Sequence, residues 1–162
     1  MPKRLVYSAV DSIDRAILYY LQDDARLANV ELAKRVGLSP SPCLRRVRNL
    51  EAAGVITGYY AAIDPTAVER GFQVLVHANM GVKNRATIES FEAKVLEFDE
   101  VVECRRMFGD PDYLLWVAVE DADAYERFYM NKLADLPGVA RMNSQFNMKL
   151  VKATGRLPLP KP

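Results

Sequence analysis

"LSPSPCLRRVRNLE", residues 38–51, sets two prolines one residue apart and follows them with a run of arginines. Prolines this close usually mark a loop or linker. Capping arithmetic gives a different reading. Ser39 is a good N-cap, which places Pro40 at the first helical position, where its missing N–H would have no partner anyway. Pro42 then falls third, still among the four N–H groups that lack an intrahelical acceptor. Both prolines therefore fit one helix start. Beyond them Leu44, Val47 and Leu50 form an apolar stripe, and Gly54 ends the helix. Ser41, Pro42, Arg45, Arg46, Arg48 and Asn49 are left on the other faces.

The residues upstream give this helix a context. Asp11 can cap a first helix, with Asp14 three residues on, and Ile13, Ile17, Tyr20 and Leu21 recur at helical spacing. A second helix starts near Asn29 as N-cap, buries Leu32, Ala33 and Val36, and stops at Gly37, which can take the left-handed C′ conformation. Two helices joined by a short glycine turn after a preceding helix are helix-turn-helix organisation. The helix after the prolines is then the recognition helix. Its small, polar start suits close approach to base edges, and its arginines can contact phosphates and guanines. The candidate DNA-binding residues are Ser39, Ser41, Pro42, Arg45, Arg46, Arg48 and Asn49. The plain alternative is a solvated charged face; the spacing after the glycine turn weighs against it.

Composition bounds the reading. The 162 residues suffice for one ordinary domain or two small ones. Half are hydrophobic and 27% are charged, which predicts a folded globular protein. The net charge is only +1, so bulk charge argues for no partner. Its distribution does. Residues 1–60 carry nine Lys/Arg against six Asp/Glu, and Lys34 to Arg48 contains no acidic residue. Cys43 and Cys104 lack metal-ligand or disulfide-framework spacing. No apolar run approaches a membrane span, and no secretory pattern opens the chain, so a cytoplasmic, nucleoid-associated location is expected.

The rest of the chain reads as strands and helices in a set order. "VITGYYAAI" (55–63) reads as a strand and "DPTAVERG" (64–71) as a turn-rich connector. Strands follow at 72–80, 101–108, 113–120 and 139–152, with helices at 86–98 and 122–136. This βαββαβ order is the split ferredoxin-like unit. Two helices cover one sheet face only. Yet Leu114 to Val119 is apolar at every position, as expected of a strand buried on both faces. A second copy of the sheet would cover the other face, so an obligate dimer is expected. The organisation is thus α+β: a helix-turn-helix, winged-helix-like domain over 1–60, a linker over 61–71, a ferredoxin-like domain over 72–152, and a proline-rich, loosely held tail over 153–162.

Enzyme readings find little. The single histidine, His77, lies in a strand whose Phe72, Val74, Val76 and Ala78 share the opposite face. It reads as a surface or interface residue; no Ser-His-Asp set, P-loop or dinucleotide fingerprint accompanies it. No cofactor is expected. "GDPD" (109–112) is a turn that could also face a small molecule. Cys43 reads as partly buried packing and Trp116 as a core or interface anchor. RNA-recognition modules share the βαββαβ order, but their base-stacking aromatic motif is absent from "VVECRRMF" and "YLLWVAVE".

"NVELAKRVGLSPSPCLRRVRNLEAAGVITGY" resembles the helix-turn-helix of the leucine-responsive/asparagine-type regulators, the Lrp/AsnC family. The resemblance continues through "DSIDRAILYYLQDDARL", "GDPDYLLWVAVED" and "LPGVARMNSQFNMKLVK". It covers roughly residues 10–152 and is nearest the leucine-responsive branch. It implies a DNA-binding transcription regulator that dimerises through its sensing sheets, assembles to tetramers or octamers, and binds a free amino acid in clefts between dimers. It carries the family's glycine–aspartate loop onto Gly109, Asp110 and Asp112, and the leucine-response positions onto Arg106, Asp112, Ala122, Ala134, Gln145, Phe146 and Asn147. The effector expected is a branched-chain amino acid or methionine by first preference; because Arg106, Gln145 and Asn147 are polar here, a polar amino acid is the competitor. An architectural, DNA-compacting protein with weak sequence preference and no working effector site is the alternative.

Overall fold

The computed structural model describes residues 10–153 and 155–162. Residues 1–9 of the expected first domain, and Thr154 of the tail, lie outside the described residues. The chain forms two compact units. One is Met1–Ala62 together with Lys152–Pro162; the other is Ile63–Val151.

The first unit is a bundle of three helices, α1 (Ser12–Asp23), α2 (Asn29–Arg35) and α3 (Pro40–Ala52). The start of α1 is a full capping box. The Asp11 carboxylate accepts from the Asp14 N–H at 2.8 Å, and the Asp14 carboxylate accepts from the Asp11 N–H at 3.3 Å. The helices close over Ile17, Leu32, Ala33, Cys43 and Leu50. Gly37 and Gly54 take φ of +68° and +69° at the ends of α2 and α3, conformations that penalise any Cβ.

Several expectations shift by a residue. Asn29 is the first residue of α2, not its cap; Ala28 holds the cap position. The Asn29 amide instead donates to the Pro40 carbonyl at 2.8 Å, tying the start of α2 to the start of α3. Ser39 is the N-cap residue of α3, with Pro40 at N1, though its hydroxyl makes no capping bond. The inward stripe of α3 runs through Cys43, Val47 and Leu50. Leu44 is exposed, because helical geometry allows one of the neighbours Cys43 and Leu44 to face inward and the bundle takes the smaller. Cys43 is accordingly fully buried rather than partly so. The expected strand at 55–63 does not form. Val55 and Ile56 donate to the Leu50 carbonyl, at 2.9 and 3.1 Å, and no backbone–backbone hydrogen bond among the described residues involves 57–62. A strand needs a ladder partner, and the described residues of this unit offer none.

The second unit carries the strands β1 (Phe72–Met80), β2 (Val101–Arg106), β3 (Tyr113–Val119) and β4 (Val139–Phe146) in one antiparallel sheet of order β2-β3-β1-β4. Helices α4 (Arg85–Val95) and α5 (Ala122–Phe128, continued by a π-helical turn at Tyr129–Leu133) supply the second layer. This is the expected βαββαβ order. The core lies between the layers: Val74, Val76 and Ala78 of β1 and Tyr113, Leu115 and Val117 of β3 meet Phe91 and Val95 of α4 and Tyr125, Phe128 and Leu133 of α5. Strand β4 ends at Phe146, short of the expected 152, and only the Asn147 N–H bonds on to β1 beyond it, at the Gln73 carbonyl. The alternate residues form the other sheet face. There Leu75, Leu114, Trp116 and Ala118 make an apolar strip on the two central strands, and His77 lies beside it with no partner for its Nε2. Arg141, Asn143 and Gln145 of β4, all exposed, share this face.

Candidate nucleic-acid interface and effector site

The three arginines of α3 do different jobs. Arg46 points back at α1: its Nη1 donates to the Asp11 carboxylate at 2.7 Å and to the Asp14 carboxylate at 2.8 Å. The two residues that cap α1 therefore also hold α3. The Asp14 N–H, and then Arg46, keep the Asp11 carboxyl below its ordinary value, and the two carboxylates raise the Arg46 guanidinium. Arg46, grouped by the sequence with the candidate DNA-binding residues, is instead tied to α1. Nothing in the spacing alone showed it, because Asp11 and Arg46 lie 35 residues apart in sequence. Arg45, Arg48, Ser41 and Asn49 are exposed. Among the described residues, neither Arg45 nor Arg48 has an ion-pair partner. Ser39 is exposed and Pro42 half-buried at the helix start. The result is a helix anchored by Cys43, Arg46, Val47 and Leu50, with two unpartnered arginines and a small polar start on its outer face.

The GDPD loop joins β2 to β3 at one end of the sheet. Gly109 sits at φ +133°, a conformation that L side chains rarely adopt. Asp112 is pinned: its carboxylate accepts from the Met80 N–H at 2.8 Å and from Lys83 Nζ at 2.7 Å, and its own N–H donates to the Ala78 carbonyl. Lys83 first, then the Met80 N–H, hold the Asp112 carboxyl below the usual carboxylate value. Asp110 accepts from the Asn79 amide. Arg106 is exposed and lies 3.8 Å from Glu92 of α4. Glu92 also accepts from the Tyr113 hydroxyl at 2.7 Å, and burial with this carboxylate raises the Tyr113 phenol. Sequence reasoning missed Lys83, Asn79 and Glu92, which are ordinary polar residues until the fold brings them to this loop.

The remaining candidate effector residues divide. Ala134 follows the π-helical turn of α5 and is exposed. Gln145 pairs with Leu75, and the Asn147 N–H donates to the Gln73 carbonyl at 3.0 Å. Both stand at the end of the sheet opposite the GDPD loop. From Leu75 to Met80 along β1 is roughly 16 Å at a rise of about 3.3 Å per residue. One chain therefore brings together Arg106, Gly109, Asp110 and Asp112 around one loop, and leaves Gln145 and Asn147 apart from them. Among the described residues no group of three or more His, Cys, Asp or Glu is placed to hold a metal ion. No helix among them is long and apolar enough to cross a membrane.

Fold and site together define a class: a winged helix-turn-helix DNA-binding domain joined to an α+β ligand-binding domain. Residues 10–57 match the winged helix-turn-helix DNA-binding model, and residues 73–157 match the Lrp/AsnC ligand-binding domain. The chain belongs to the Lrp/AsnC family of transcription regulators. It is 43% identical to the leucine-responsive regulatory protein of Salmonella typhimurium over 148 residues, 91% of this chain and 90% of that protein. Among solved structures, it is similar to a Neisseria meningitidis transcriptional regulator in complex with L-Met, at 40% identity and a TM-score of 0.86, covering 91% of this chain and 96% of that one. It is also similar to the feast or famine regulatory protein of M. tuberculosis complexed with L-methionine, at 32% identity and a TM-score of 0.83, covering 94% and 100%.

Proposed function

We propose that this chain is a sequence-specific transcription regulator whose assembly or DNA affinity responds to a free amino acid, a branched-chain one or methionine by first preference. The observation that carries the reading is the outer face of α3, where Arg45 and Arg48 stand exposed beside Ser41 and Asn49 on a helix fixed from behind by Arg46. Ser39, Ser41, Pro42, Arg45, Arg48 and Asn49 form the DNA-contacting set, and Arg46 is a positioning residue. Two methionine-bound relatives support the effector class.

An amino acid is a zwitterion. Its carboxylate needs a cation or amide donors, and its ammonium needs a carboxylate or carbonyls. Exposed Arg106 and the Gly109 backbone suit the first need; Asp110 and Asp112 suit the second. Because Lys83 already neutralises part of Asp112, the ammonium has to compete with or displace that lysine. Gln145 and Asn147 can reach the same ligand only from another copy. A ligand held between copies favours the assembly that contains both halves, and such differential affinity is what makes it an effector. The apolar strip of Leu75, Leu114, Trp116 and Ala118 is the surface proposed for the homodimer, from which tetramers or octamers build.

A thermal-shift screen of the twenty amino acids, followed by sedimentation with and without each hit, tests this. A hit that also changes the sedimentation coefficient is expected. No hit in either measurement would discard the sensing role and leave the architectural reading.

A further inference from the structure

The C-terminal residues do not hang free of the first unit. Gln22, near the end of α1, grips one residue of the tail by its backbone: the Leu157 N–H donates to Gln22 Oε1 at 2.7 Å, and Gln22 Nε2 donates to the Leu157 carbonyl at 3.4 Å. Beside it Arg156 Nη1 lies 2.7 Å from the Asp23 carboxylate. Leu159 is half-buried. Gly155, Arg156, Leu157 and Leu159 line one side of a cleft of about 790 Å³ whose other sides are α1 (Leu18, Leu21) and the segment Val55–Ala62, Tyr59 and Tyr60 included.

That segment has little to hold it. Among the described residues, Thr57 to Ala62 makes no backbone–backbone hydrogen bond, and its one side-chain tie is the Tyr59 hydroxyl donating to Glu51 at 2.8 Å. Yet it is the segment that follows α3, where a winged helix-turn-helix carries its wing. The tail suits docking beside it. The glutamine amide donates to and accepts from the same residue, as a neighbouring strand would. Pro158 and Pro160 restrict the peptide before it docks, so less conformational freedom is lost on docking. The Arg156–Asp23 pair is exposed at both ends, so it sets register and adds little strength.

We infer that residues 155–162 are an intrachain ligand of the DNA-binding unit: the tail docks on the end of α1 through Gln22 and Asp23, closes one side of the cleft between α1 and Val55–Ala62, and holds that wing segment in place. The step from wing order to DNA affinity rests on the function proposed above; the seating does not.

Amide hydrogen exchange on the full chain tests the seating. The Leu157 amide is expected to exchange about tenfold more slowly than in an unstructured peptide. Gln22→Ala should abolish that protection and speed exchange across Thr57–Ala62. Alanine is a better helix former than glutamine, so α1 is retained. Asp23→Arg and Arg156→Asp should each weaken protection, and the double variant should restore it. A Leu157 amide that exchanges at the unstructured rate, or is indifferent to Gln22→Ala, overturns the seating. Protection lost on hundredfold dilution would assign the groove to the tail of a second copy and overturn the intrachain reading. For the functional step, Gln22→Ala should weaken binding several-fold to a duplex selected in vitro by the wild-type chain; unchanged affinity with lost protection would remove the wing's role. Failure of the DNA-binding reading itself is distinguishable, because Arg45→Ala and Arg48→Ala would then leave binding to that duplex intact.

Discussion

The division of labour among Arg45, Arg46 and Arg48 makes a prediction that composition cannot. Each phosphate neutralised on B-DNA contributes roughly 0.9 to the slope of log affinity against log salt. If Arg45 and Arg48 each neutralise one phosphate, the Arg45→Ala/Arg48→Ala double variant flattens the slope by about 1.8 for each engaged recognition helix. Over a fourfold rise in salt each lost contact is then worth roughly a 3.5-fold change in affinity. Arg46→Ala should behave differently. Its guanidinium is occupied by Asp11 and Asp14, so its loss leaves the slope nearly unchanged and lowers the melting temperature of the helical unit instead. The assay is fluorescence anisotropy on one duplex across a salt series, paired with thermal melts of each variant. If Arg46→Ala flattens the slope as much as Arg45→Ala while leaving the melt unmoved, the assignment of Arg46 to α1 is wrong. If neither outer arginine moves the slope, α3 is not the DNA-facing helix.

Other perturbations follow from the same geometry. The carboxyl of Asp112 is held below its usual value of 3.8, so the stability it contributes is present above that pH and is lost as pH falls through the lower folded value. Lys83→Met should weaken this acid dependence, read from melts between neutral and strongly acid buffer. Gly138 sits at φ +75°, and a Cβ there would run into the Thr87 methyl and Met80, so Gly138→Ala should cost about 1–3 kcal/mol in a denaturant titration. Leu115 is fully buried between sheet and helices, and Leu115→Ala should cost roughly 2–5 kcal/mol by the same measurement. Trp116→Arg should leave the fold of the chain intact but shift sedimentation toward the monomer, since its side chain lies on the sheet face away from that core.

The sequence by itself determined the βαββαβ order of the second unit, the two helix starts with acid or proline chemistry, and which face of β1 enters the core. These follow from local rules: capping is decided within four residues, and strand alternation within two. The likeness of its motifs to one family was legible for the same reason. Tertiary structure decided what local rules leave equal. Cys43 and Leu44 are both apolar and adjacent, and only the packing of α1 and α2 selects Cys43 for the interior. Arg45, Arg46 and Arg48 are alike in sequence, and only the approach of Asp11 and Asp14 takes one of them out of the outer set. The segment 55–63 has strand composition but no ladder partner among the described residues of its unit, so it stays irregular. Gln145 and Asn147 read as companions of Asp112 until the sheet register sets them at opposite ends of β1. Each of these outcomes depends on a partner many residues away, and a pattern read along the chain has no means of choosing that partner.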